Sequence, residues 1–132
     1  MSIPIKNKFV IKSEGQEVTF ELLFDTHLLC VYDADLRLQG TNNSVQGFPV
    51  KGDNTNDEPD KFPLPLPASV NIGRRLILDL TIIDQTGGGG DYKITLVVKQ
   101  GNQEKTFSTE KKSMSGSSAD ELFVVGFERQ GE

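Results

Sequence analysis

His27 and Cys30 are each the single residue of their kind in this chain. A thiol beside an imidazole is the pair a nucleophilic enzyme would use. Their odd spacing sends the two side chains to opposite faces of a strand, so a dyad needs a bend between them. Cys30 also sits in the apolar run Leu28-Leu29-Cys30-Val31-Tyr32, where a small buried side chain is the expected reading. Zinc needs three or four His or Cys ligands, more than this sequence holds. There is no Gly-x-Ser-x-Gly elbow for a serine hydrolase. Acid–base chemistry would therefore fall to the 19 carboxylates, among which the sequence singles out no pair.

The stretch Asp53-Asn54-Thr55-Asn56-Asp57-Glu58-Pro59-Asp60 offers oxygen ligands at alternating positions. That pattern suits Ca²⁺, with Asp53, Asp57 and Asp60 as the carboxylates that would hold it. It is not an EF-hand loop, because Glu58 stands where glycine is required and no helices flank it. A solvated acidic loop has the same composition, and both readings stay open. Gly87 to Gly90 shares only its glycines with a phosphate loop. No Lys and Ser/Thr follow, a strand comes next, and Asp84 and Asp91 flank it with the wrong charge for phosphate. It reads as a hairpin loop.

The chain has 132 residues, the length of one domain, with a long irregular segment at 40–68. An excess of 19 Asp and Glu over 14 Lys and Arg gives a net charge of −5, which argues against nucleic acid as a partner. Arg74-Arg75, Lys111-Lys112 and the series Lys6, Lys8, Lys12 are the local basic exceptions. One cysteine allows no intrachain disulfide. No apolar run approaches the ~18–20 residues of a membrane span, and the N-terminal residues lack the apolar core of a secretion signal. The expectation is a soluble protein with no transmembrane segment, cytoplasmic or exported without a Sec-type signal. Eight Phe, two Tyr and no Trp argue against a sugar platform or a membrane-interface belt, both of which favour flat rings with polar tips.

What must position any site is a set of strands. Leu76, Leu78, Leu80 and Ile82 alternate with Ile77, Asp79, Thr81 and Ile83, which predicts a strand over 75–83. Val18, Phe20 and Leu22 alternate with Thr19 and Glu21, and Phe9 and Ile11 with Lys8, Val10 and Lys12. Residues 92–109 read as a hairpin about the two-residue turn Gly101-Asn102. That turn sets Lys99 against Glu104, Val97 against Thr106, Thr95 against Ser108 and Leu96 against Phe107. Further strands are expected at 28–32, 36–39 and 122–129, with a bulge at Gly126 and a short strand near 48–50. A single turn of helix is allowed near 117–121, where Ser118 and Glu121 fit a capping box. Proline at every second position of Phe62-Pro63-Leu64-Pro65-Leu66-Pro67 predicts an edge strand with Phe62, Leu64 and Leu66 inward.

Tyr32-Asp33-Ala34-Asp35 after an apolar strand resembles the strand-to-loop acidic pairs of C2 domains, and Asp84 with Asp91 before Tyr92 is a second likeness. Their order along the chain differs from that of an ordinary C2 domain, and no residue role is carried over.

The expectation is an all-β fold, an antiparallel β-sandwich of about seven or eight strands, with jelly-roll, Ig-like and C2-like topologies all open. The expected function is a non-catalytic binding module, first of all for another protein, with self-association included. The alternatives are a calcium-dependent module for carbohydrate or lipid, and a small enzyme working through surface carboxylates. The hairpin order brings the loops 85–91 and 110–120 to one end, so Gly88 and Ser115 should lie together. The binding residues proposed there are Asp84, Gly88, Asp91, Glu110 and Asp120.

Overall fold

Leu76, Leu78, Leu80 and Ile82 are all fully buried, while Asp79 between them faces outward, as an alternating strand requires. The computed structural model describes residues 5–12, 16–38, 40–41, 43–55, 60–114 and 116–129. They form ten strands: β1 (Ile5–Ile11), β2 (Val18–Asp25), β3 (Leu29–Arg37), β4 (Val50–Asp53), β5 (Asp60–Pro63), β6 (Arg75–Ile83), β7 (Asp91–Gln100), β8 (Gln103–Ser108), β9 (Lys112–Ser113) and β10 (Ser118–Arg129). One sheet has the order β1-β10-β6-β3-β4 and the other β5-β2-β7-β8, with the two-residue β9 added to β7. Two five-stranded layers therefore enclose one apolar core. Ten strands exceed the expected number: β4 and β5 lie beside the short strand and the edge strand expected near 48–50 and 62–67, and the two-residue β9 is too short for periodicity to reveal.

The hairpin register is the expected one at all four pairs. Val18, Phe20, Ile94, Leu96, Val98 and Phe107 are buried with the β6 leucines. Other expectations are corrected. The segments 28–32 and 36–39 merge into one strand, because Asp33 faces outward while Ala34 and Leu36 face inward. The acidic pair Asp33 and Asp35 thus lies inside a strand, not at a strand-to-loop junction. Residues 118–121 are not helical: they are the start of β10, paired with 80–83. Glu121 there faces the interior, where a helix cap could not place it. The registers of β10 with β1 and β6 run evenly through Gly126, without a bulge. The irregular segment 40–68 holds β4 and β5. Phe62 is half-buried and Leu64 buried, as an edge strand predicts, but Leu66 is 59% exposed. The chain leaves the sheet after Pro63 and turns into a 3-10 turn over Ala68–Asn71, so the period-two pattern lapses there.

The sheets are not wholly antiparallel. β1 pairs with β10 in parallel, Phe9 opposite Phe127 and Ile11 opposite Arg129. A tight hairpin imposes antiparallel pairing, but β1 continues into β2 of the other sheet and escapes that constraint. At the same edge, β8 side chains satisfy β1 carbonyls: Gln103 donates to Val10 at 2.9 Å and Lys105 to Lys8 at 2.8 Å. Among the described residues, no helix is long and apolar enough to cross a membrane.

Candidate functional site

The β2–β3, β4–β5, β6–β7 and β8–β10 connections all leave from one end of the two layers. That end holds the sequence-proposed residues. The β6–β7 and β8–β10 loops are tied together by backbone: the Asp84 amide donates to the Ser117 carbonyl (3.0 Å) and the Met114 amide to that of Gly90 (2.8 Å). Between them is an open depression of about 440 Å³ lined by Asp84, Gly87, Gly88, Gly89, Met114, Gly116 and Ser117. Ser115 lies outside the described residues, but its neighbours Met114 and Gly116 share this depression with Gly88. The two loops meet as the hairpin order requires.

Each proposed residue has its own setting. Asp84 is a template for the glycine loop. One oxygen accepts from the amides of Thr86 (3.2 Å) and Gly87 (3.0 Å), and the other from that of Gly89 (2.8 Å). The Gly89 amide foremost holds its carboxyl below the usual carboxylate range. Gly87 and Gly89 adopt φ of 77° and 76°, the left-handed region that glycine enters without strain. Asp91 accepts from the Ser113 hydroxyl at 2.7 Å and faces Lys111 at 3.8 Å. Glu110 is exposed and, like Asp91, does not line the depression. Asp120 lies apart, on the outer face of the β1–β4 sheet, where the Thr81 hydroxyl donates to it at 3.3 Å.

Beneath the two loops is a buried polar cluster that the sequence did not announce. Glu121 is 1% exposed. The Tyr92 hydroxyl donates to one of its oxygens at 2.6 Å, and the Lys112 ammonium reaches both at 3.0 Å. These contacts join β10, β7 and β9 across the two layers. Burial, then Glu121, pushes the Tyr92 hydroxyl well above the ordinary tyrosine range. Cys30 is nearby and wholly buried, its thiol pushed up to about 12 by burial. That burial disfavours the thiolate which a nucleophile needs. His27 is exposed, its ring lying over Gly90, on which any side chain would collide with it.

The expected calcium ligands are distributed as follows. Asp53 ends β4 and Asp60 starts β5, while Asp57 lies outside the described residues. Asp53 accepts from the Thr55 hydroxyl and amide, which hold its carboxyl low. Asp60 is raised by burial, with the negative field of Asp53 adding to it. Beside them is the Tyr32 hydroxyl, which makes no hydrogen bond of regular geometry. Burial and the facing Asp60 raise its ionisation above the ordinary tyrosine range. Among the described residues, no three His, Cys, Asp or Glu side chains are placed to hold a metal ion.

Tyr32 has a structural duty as well. It stands opposite Gly52 in the β3–β4 register and lays its ring over the bare glycine backbone. A methyl group at position 52 would run into the Tyr32 hydroxyl and ring. Gly52→Ala is expected to cost ~1–3 kcal/mol, as overpacking does. A urea unfolding curve reads this loss, and an unshifted midpoint would mean that the ring moves aside freely.

The outer face of the β1–β4 sheet carries a further acidic group. Asp33 stands directly opposite Asp79, with Asp120 nearby. Burial, then Asp120 and Asp33, raises Asp79 above its ordinary 3.8. Two converging carboxylates are what acid–base catalysis needs, and Asp33 and Asp79 line a shallow depression of about 300 Å³ together with Lys51 and Thr81. Like charges set opposite one another cost stability, so Asp79→Asn is expected to stabilise the fold by roughly 0.2–1 kcal/mol at neutral pH. The sign follows from the raised pKa. The folded state holds the Asp79 proton more tightly, so its contribution is favourable below the ordinary carboxyl range and is lost as pH rises through the raised value. The advantage of Asp79→Asn should therefore disappear in melts below pH ~3.

No protein-family model, no curated protein and no solved structure matches this chain.

Proposed function

We propose that this protein is a non-catalytic binding module whose ligand is another protein, held at the acidic end of the two layers. The observation that carries this reading is the convergence of the 84–91 and 109–117 loops on one depression. Its wall is mostly backbone of glycine and serine, with Met114 as the adaptable apolar element. Asp91 and Glu110, exposed on the same loops, favour a basic partner and speed its arrival. The test is a titration of ¹⁵N-labelled protein with a short lysine- and arginine-rich peptide. Amide shifts should cluster at Gly88, Met114 and Gly116, fade at high ionic strength, and be lost in Asp91→Lys. Shifts scattered over the surface, or none, would remove the reading.

A calcium-dependent role, with carbohydrate or lipid as ligand, has one specific observation in its favour. Asp60 feels the charge of Asp53 and faces the Tyr32 hydroxyl. On this reading, Ca²⁺ at a hundred times its dissociation constant raises stability by ~2.7 kcal/mol, and EDTA reverses the gain. A melting temperature that is flat across millimolar calcium leaves the stretch a solvated loop.

A further inference from the structure

The charges of this chain are segregated along the strand direction. The end with the glycine loop carries Asp25, Asp53, Asp84, Asp91, Glu110 and Asp120, offset by Lys93, Lys111 and Lys112. The opposite end carries Lys12, Arg37, Arg74, Arg75, Lys99 and Arg129, offset by Glu17, Asp35, Glu104 and Glu128, with Asp35 paired to Arg37 at 2.8 Å. Register creates part of this polarity. Arg37 lies opposite Arg75, and Asp33 opposite Asp79 nearer the acidic end.

The basic end also bears an apolar tip. Leu66 is 59% and Val70 39% exposed, two of the three large apolar side chains left in solvent among the described residues. The tip is built rigidly. The buried Asn71 side chain donates to the carbonyls of Pro65 (3.0 Å) and Ala68 (3.2 Å), and Ala68 is itself wholly buried. A surface held in one shape loses little freedom on docking. Arg74 follows directly, tied to the Asn71 side chain at 3.3 Å. At the other end, the depression offers Met114 and glycine backbone beside Asp84, with Asp91 and Glu110 exposed on the adjoining loops.

We infer that these two ends are halves of one contact: the Leu66–Val70 tip of one copy seats in the Gly88–Met114 depression of the next, with Arg74 against the exposed Asp91 and Glu110. This rests on the reading of the acidic end as a protein-binding site and names the partner as a second copy of the chain. The contact joins two different surfaces, so each copy keeps one free half and chains can grow. A single pair of molecules leaves one tip and one depression unused. An anionic lipid surface would engage the basic tip alone and leave the depression without a counterpart.

Sedimentation velocity on the full chain tests this. At low ionic strength, the weight-average mass should climb above 14.5 kDa with concentration, pass twice that value, and fall back to 14.5 kDa at high salt. Leu66→Ser/Arg74→Gln and Asp91→Lys/Glu110→Lys should each stay at 14.5 kDa. Circular dichroism should show both to be folded. Mixing the two variants should restore association, but only to pairs, because each contributes one intact half. Wild type that remains at 14.5 kDa throughout overturns the inference. So does association that survives both double variants, or a mixture that fails to pair. A strictly monomeric chain that still binds the basic peptide at Gly88 and Met114 would overturn self-association and leave the binding reading standing. Binding to phosphatidylserine vesicles by a monomeric chain, lost in Leu66→Ser/Arg74→Gln, would overturn it in favour of lipid at the basic tip.

Discussion

Leu80→Ala is expected to lower the unfolding free energy by ~2–5 kcal/mol. Leu80 is fully buried on β6, which is flanked by β3 on one side and β10 on the other. Its register partners are Tyr32 and Glu121, both held by their own contacts. A cavity there cannot be filled by sliding an edge strand inward, so the loss should fall in the upper half of the range. A denaturant midpoint that shifts with an unchanged slope is the signature of a pure stability change. Leu23→Ala, at a side chain 48% exposed on β2, serves as the contrast and should move the midpoint little. A loss below ~1 kcal/mol at Leu80 would mean that the core relaxes far more than close packing permits.

The second large effect lies in the buried cluster. Lys112→Met is expected to cost about 3 kcal/mol at neutral pH, the low end of the range for breaking a buried ion pair. Glu121 is 1% exposed and would lose the cation that faces it. The Lys112 side chain is 42% exposed, so water can approach the vacated side and temper the loss. Glu121→Gln added to Lys112→Met should recover much of the stability. The amide carries no charge to leave unpaired and still accepts from the Tyr92 hydroxyl. If the double variant is no more stable than Lys112→Met, the loss comes from the lysine's packing and not from its charge.

Legibility differed by physical cause. The β7–β8 hairpin could be read residue by residue because turn length fixes register, and the opposed pairs agreed with it. The β6 core face was equally plain, since four alternating aliphatic residues leave no competing period. The order of the hairpin strands also brought the 85–91 and 110–120 loops to one end, where Gly88 shares a depression with Met114 and Gly116, the neighbours of Ser115. The start of β10 was misread because Ser118 and Glu121 satisfy a local capping pattern, while pairing with β6, distant in sequence, decides the outcome. Leu66 was misread for the converse reason. A local period of two persisted past the point where β2 stops offering a partner, at Thr19 opposite Pro63. The Glu121, Tyr92 and Lys112 cluster was invisible because it unites three strands through side chains alone. The one available signal was a carboxylate at an inward position of the Glu121-Leu122-Phe123-Val124-Val125 alternation.

The parallel pairing of β1 with β10 has a consequence for how the chain is made. β10 lies between β1 and β6, so neither has its full set of neighbours until residues 118–129 arrive. During synthesis, β1 is made some hundred residues ahead of β10 and must wait without its sheet partner, an interval of roughly 5–20 seconds at usual elongation rates. Meanwhile β6 presents an open edge, the kind of surface that recruits foreign strands. The chain is thus most exposed to misassociation before β10 is added, and a chain truncated before Ser118 should be far more aggregation-prone than one that reaches Arg129.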